Sequence, residues 1–211
     1  MVRADTRAAE DDESSGSEGD NSVGRLLALS DGVFAIAMTL LALELRLPDL
    51  GHHVSDSQLR HALGDQWQNY LSFVISFYVV ASYWSSHRRA MRTVTTVSMP
   101  LIASTLRLLL LVAAMPFPAS VLGNYGDDPS ALVFYSAFNI AAHLALLRLL
   151  ARIPGDAVDL QQRENLWANI IVFAVCIPGA YALGSHGPWL LLLLAVSGWL
   201  SQLRRRHAAR S

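Results

Sequence analysis

Three polar side chains stand where such groups are costly. The run RLLALSDGVFAIAMTLLALELRLP, residues 25–48, has the length and apolarity of a membrane helix and carries Ser30, Asp31 and Glu44. A carboxylate in hydrocarbon costs at least about 2.5 kcal/mol, so it is expected to face protein or water, and residues placed this way are the first candidates for handling ions. A second pair is Trp84 and His87, three apart and therefore on one helical face. Arg107 falls deep inside another apolar run, where an unpaired guanidinium is expensive. With Glu44 roughly 8 Å further outward by helical rise, a Glu44–Arg107 ion pair is expected. The alternative is that Glu44 lines an outer vestibule and draws cations in.

Other polar residues point to simpler roles. Asn139 and His143, four apart, are expected to hydrogen-bond between helices. His52, His53 and His61 match no zinc spacing, so no metal site is expected. Cys176 is a lone cysteine in an apolar run and reads as a small core residue. Phosphate-cradling glycine loops, HExxH and G-x-S-x-G are absent, which argues against an enzyme. The arginines follow the pattern of membrane topology, leaving no basic patch for nucleic acid. No cofactor is called for.

These residues need helices to carry them, and the composition says which kind. With 53% apolar and 16% charged residues, the chain departs from an ordinary soluble domain. Runs of roughly 20 apolar residues cross a bilayer as helices. Six are read here, at about 25–47, 67–86, 94–115, 131–150, 166–183 and 188–203. Seven of the seventeen acids fall within residues 1–20, so residues 1–22 read as a disordered acidic tail in the cytosol, with no signal-peptide layout. Residues 204–211 form a basic tail suited to anionic lipid.

Arginine placement sets the direction, because cytoplasmic segments carry the positive excess. With both ends inside, thirteen arginines lie on the cytosolic side and two, Arg46 and Arg60, outside. The stretch PFPASVLGNYGDDP, Pro116–Pro129, and the hinge 184–187 are then external turns. The fold class expected is an all-α integral membrane protein of six spans.

On a helical projection of the first span, Arg25, Leu29, Gly32, Leu40, Leu43 and Leu47 fall within about 40° of Ile36, Thr39 lies about 60° away, and Asp31 sits about 140° away. Periodicity alone leaves this aliphatic ladder open to packing or lipid contact as well as to lining a pore.

The run Arg25-x-x-x-Leu29-Ser30-Asp31-Gly32 resembles the R-x-x-x-F-S-D-G signature of the endolysosomal and bacterial transmembrane potassium channel family, with leucine in place of the usual phenylalanine. SYWSSHRR, Ser82–Arg89, resembles that family's Trp-x-x-His end of helix 2, and PFPASVLGNYGDDP its helix 3–4 connection. The resemblance implies a homotetramer in the cell membrane with helix 1 lining a central potassium-selective pore. It implies Ile36 as the tightest ring, with Thr39, Leu40 and Leu43 continuing the wall. It also implies a polar network of Arg25, Ser30, Asp31, Trp84 and His87. The family's helix-3 asparagine has no counterpart; Thr105 or Arg107 occupies its neighbourhood. A proton-coupled transporter or a non-transporting scaffold is the alternative, and the first would call for interrupted helices in matching halves, which are missing.

Overall fold

In the computed structural model, residues 2–51, 54–153 and 160–183 are described, with side chains from Ser22 to Ala182. Among these residues the regular structure is helical: α1 Val2–Ala42, α2 Asp56–Asp65, α3 Trp67–Met91, α4 Met99–Ala114, α5 Pro116–Tyr125, α6 Pro129–Leu150 and α7 Leu160–Leu183. Four segments are long and apolar enough to cross a membrane: Ser22–Ala42, Met99–Tyr125, Pro129–Leu150 and Leu160–Ala182. They match the expected first, third, fourth and fifth spans. The expected second span lies in α3, which has the length, 25 residues, but dilutes its apolar surface with Gln68, Asn69, Ser72 and Ser76. The sixth span at 188–203, the hinge 184–187, the basic tail 204–211 and His52 and His53 lie outside the described residues.

Several boundaries differ from the sequence reading. The backbone of α1 is helical from Val2, through the segment read as a disordered tail, where alanine, arginine and glutamate favour helix locally. At its other end α1 stops at Ala42, not near residue 47. Pro48 excludes helical geometry from Leu47, and the chain tightens instead through Leu43 N to Leu40 O (3.0 Å) and Glu44 N to Leu41 O (3.3 Å). The connection that follows contains α2, begun by a capping box in which Ser55 and Gln58 satisfy each other's backbone N–H groups.

Pro116–Pro129 is not a set of turns. Most of it forms α5, with Pro116 in the first turn, where a missing N–H is harmless. Pro118, Ala119 and Leu122 are buried, and the Ser72 hydroxyl of α3 donates to the Ala119 carbonyl at 2.6 Å.

The core follows from spacing. Val23, Leu26, Ser30, Phe34, Ala37 and Leu41, three or four apart, form the buried stripe of α1, which packs against α3 and α4. Between α3 and α6 runs a buried polar seam. The Ser76 and Tyr135 hydroxyls lie 3.1 Å apart, the Tyr83 hydroxyl donates to Asn139 Oδ1 at 2.9 Å, and the same hydroxyl lies 3.0 Å from His143 Nδ1. Asn139 and His143 thus make the interhelical bonds expected of them.

Candidate functional site

The buried stripe of α1 has an exposed counterpart on its opposite side. Ile36 is 59% exposed, Leu29 50%, Leu43 57% and Leu40 38%, while Phe34 and Ala37, flanking Ile36, are buried. Gly32 shares this face and has open space beside it. A side chain two positions from a fully buried one stays open because helical geometry turns it about 200° around the axis. Leu29, Gly32, Ile36 and Leu40 therefore form one continuous face left exposed among the described residues. Thr39 stands beside them, exposed, its hydroxyl donating to the Ile36 carbonyl at 2.8 Å. Leu43 lies just beyond the helix end, in the turn.

The far side of α1 carries the polar site. Trp84 Nε1–H donates to Asp31 Oδ1 at 2.8 Å, and Arg88 Nη1 donates to Asp31 Oδ2 in an ion pair. The Arg88 guanidinium carbon lies 5.9 Å from the centroid of the Trp84 ring, a cation–π contact. The three side chains form a closed triangle between α1 and α3.

Other residues expected in this network are elsewhere. Ser30 is buried and donates to its own helix, to the Leu26 carbonyl at 2.8 Å, because a mid-helix serine reaches the carbonyl four residues back most easily. Arg25 is exposed, and the bonds to Asp31 come from Trp84 and Arg88. His87 is fully buried, its ring 5.8 Å from that of Phe34, and neither ring nitrogen has a hydrogen-bond partner among the described residues. Thr105 donates to its own Leu101 carbonyl at 3.0 Å, so α4 adds no polar link in the asparagine's place. Arg88 was missed by the sequence reading, although its position four residues after Trp84 puts it on the same helical face.

The expected Glu44–Arg107 pair does not form among the described residues, where the ion pair is Arg88–Asp31. The early end of α1 leaves Glu44 in a turn, half-buried, and Arg107 lies on the exposed side of α4 with Leu106 and Leu110.

Residues 25–116 match the family model described as endosomal/lysosomal potassium channel TMEM175. A potassium channel of Streptomyces collinus is 38% identical over 133 residues, 61% of this chain and 63% of its own length. A potassium channel of Chamaesiphon minutus is 36% identical over 173 residues, covering 74% of this chain and 84% of that protein. The crystal structure of a lysosomal potassium-selective channel TMEM175 homolog from Chamaesiphon minutus superposes with a TM-score of 0.69 at 26% identity, covering 86% of this chain and 98% of that one. The chain belongs to the TMEM175 potassium channel family.

Proposed function

We propose that the chain is a subunit of a potassium-selective channel of the cell membrane, in which copies of α1 surround a central pore. Each subunit contributes six spans with both ends in the cytosol, and four subunits close the ring. It is an ion channel and not an enzyme. It works without a cofactor, potassium being the permeant ion.

The observation that carries this reading is the exposed aliphatic face of α1, centred on Ile36 at 59% exposure, on a helix whose Phe34, Ala37 and Leu41 are buried. One subunit offers a single such face, too little to enclose a path, so a channel built this way requires an oligomer. A ring of Ile36 side chains gives an ion no ligands to replace its water. Passage then depends on dehydration, which favours potassium over the more strongly hydrated sodium, and dewetting of the same constriction closes the path. Thr39 adds a hydroxyl beside that ring, and Leu40 and Leu43 continue the apolar wall outward. Arginine asymmetry supports the direction of insertion.

The test is reconstitution in liposomes. Passive potassium flux in the wild type, with Ile36→Asn admitting more sodium, is the expected result. An unchanged ion preference in Ile36→Asn removes Ile36 from the constriction. Flux that needs a second ion gradient indicates a transporter, and no flux a scaffold.

A further inference from the structure

We infer that Arg88 is a positioning residue for the conducting helix: with Trp84 it clamps Asp31 and thereby sets the rotation of α1 that aims Ile36 at the permeation path. This inference rests on the reading of α1 as the pore-lining helix.

A carboxylate held through one oxygen can swivel, whereas one held through both oxygens by separate donors has its plane defined. Asp31 is held in the second way, Oδ1 by the Trp84 indole N–H at 2.8 Å and Oδ2 by Arg88. Both donors project from one turn of α3, and the guanidinium is steadied 5.9 Å from the indole centroid. A planar fork held beside an aromatic face loses little freedom on bonding, which a lysine could not reproduce.

From Gly24 to Ala42, among the described residues, Asp31 alone bonds a polar group of another helix. Ser30 and Thr39 bond carbonyls of α1 itself, and His87 meets Phe34 without a hydrogen bond. The rest of the α1 contact is apolar, and apolar burial is non-directional. The directional restraint on α1 is therefore concentrated at one carboxylate.

Asp31 and Ile36 are five residues apart, about 140° around the helix, so the clamp holds α1 from behind while Ile36 faces forward. With side chains reaching about 5–6 Å from the helix axis, a turn of about 40° would carry the Ile36 side chain sideways by roughly 4 Å. That is enough to draw it aside from the centre of a narrow ring. The side chains of Arg88 and Asp31 are 47% and 36% exposed. Exposed ion pairs add little to stability, so the consequence of this pair is expected in aim more than in folding.

The experiment uses the full chain in planar bilayers, reading the potassium-to-sodium permeability ratio from reversal potentials, which do not depend on how many channels are present. Arg88→Ala is expected to lower the ratio several-fold, with Arg88→Lys between it and the wild type. A wild-type ratio in Arg88→Ala overturns the inference. For variants that pass too little current, Ala35, Ile36 and Ala37 are replaced singly by cysteine in a Cys176→Ser background and exposed to a water-soluble thiol reagent. With Arg88 present, position 36 should react fastest. In Arg88→Ala the reactivity of position 36 relative to 35 and 37 should fall, and an unmoved pattern overturns the inference. Absence of potassium current in the wild type would instead defeat the channel reading itself.

Discussion

The imidazole of His87 packs against the ring of Phe34, centroids 5.8 Å apart and planes tilted by 47°, with both ring nitrogens buried and unpartnered among the described residues. A buried polar group without a partner costs about 1–3 kcal/mol. His87→Phe keeps a ring against Phe34 and removes that cost. Its thermal unfolding temperature in detergent is expected to equal or exceed that of the wild type. A marked fall would show that the imidazole holds a hydrogen bond in the assembled protein.

Tyr83 ties α3 to α6 through one hydroxyl, which reaches Asn139 Oδ1 at 2.9 Å and His143 Nδ1 at 3.0 Å. Tyr83→Phe keeps the ring, including its edge contact with His143 at 4.7 Å, and deletes only the hydroxyl. Two buried polar groups then lose a partner, and interhelical hydrogen bonds in membranes are worth about 0.6–2 kcal/mol each. The expected outcome is a lower unfolding temperature with the ion preference unchanged. A shift in ion preference would place this seam in the permeation machinery.

α5 approaches α3 so closely at Gly123 that a Cβ there would stand 3.2 Å from Asn69 Cα, besides striking the Asn69 side chain. The side chain can turn away; the backbone cannot without moving a helix. Gly123→Ala is expected to destabilise the protein by about 1–3 kcal/mol, as overpacked cores do. Asn69→Ala combined with Gly123→Ala should recover part of that loss in the same unfolding assay. No recovery would put the strain in the helix backbone alone.

Asp128 caps α6, its carboxylate accepting the Ser130 backbone N–H at 2.8 Å. That bond, reinforced by the Ser130 side chain, holds the Asp128 carboxyl below its ordinary value of 3.8. Because the folded value is the lower one, the ionised cap stabilises the protein above the unfolded value, and this contribution is lost as pH falls through the folded one. Asparagine caps comparably without a charge. Over acidification from neutral pH to below about 4, the wild type should lose more unfolding temperature than Asp128→Asn. Equal losses would show that the charge of the cap contributes nothing.

The face of α1 from Leu29 to Leu40 was readable in the sequence because helical periodicity is local: once the run is a helix, which residues share a side follows from their spacing alone. The same holds for the buried stripe through Phe34 and Leu41, and for Trp84 and His87 lying on one side of α3. Pro116–Pro129 misled for a local reason as well. Its prolines and glycines read as turn signals, yet they stand where a helix start tolerates them, and burial of Ala119 and Leu122 against α3 decided for α5.

Partnership between helices was not decided by spacing. Whether Asp31 meets Arg88 or Arg25, and whether Glu44 meets Arg107, depends on the depth and rotation of two helices at once. Packing sets both quantities, and no window of sequence contains them. The tertiary structure left His87 with Phe34 and kept Arg107 on the exposed side of α4, away from Glu44 in the turn after α1. It also drew Arg88, one of a run of arginines that topology alone explains, onto the carboxylate that ties α1 to α3.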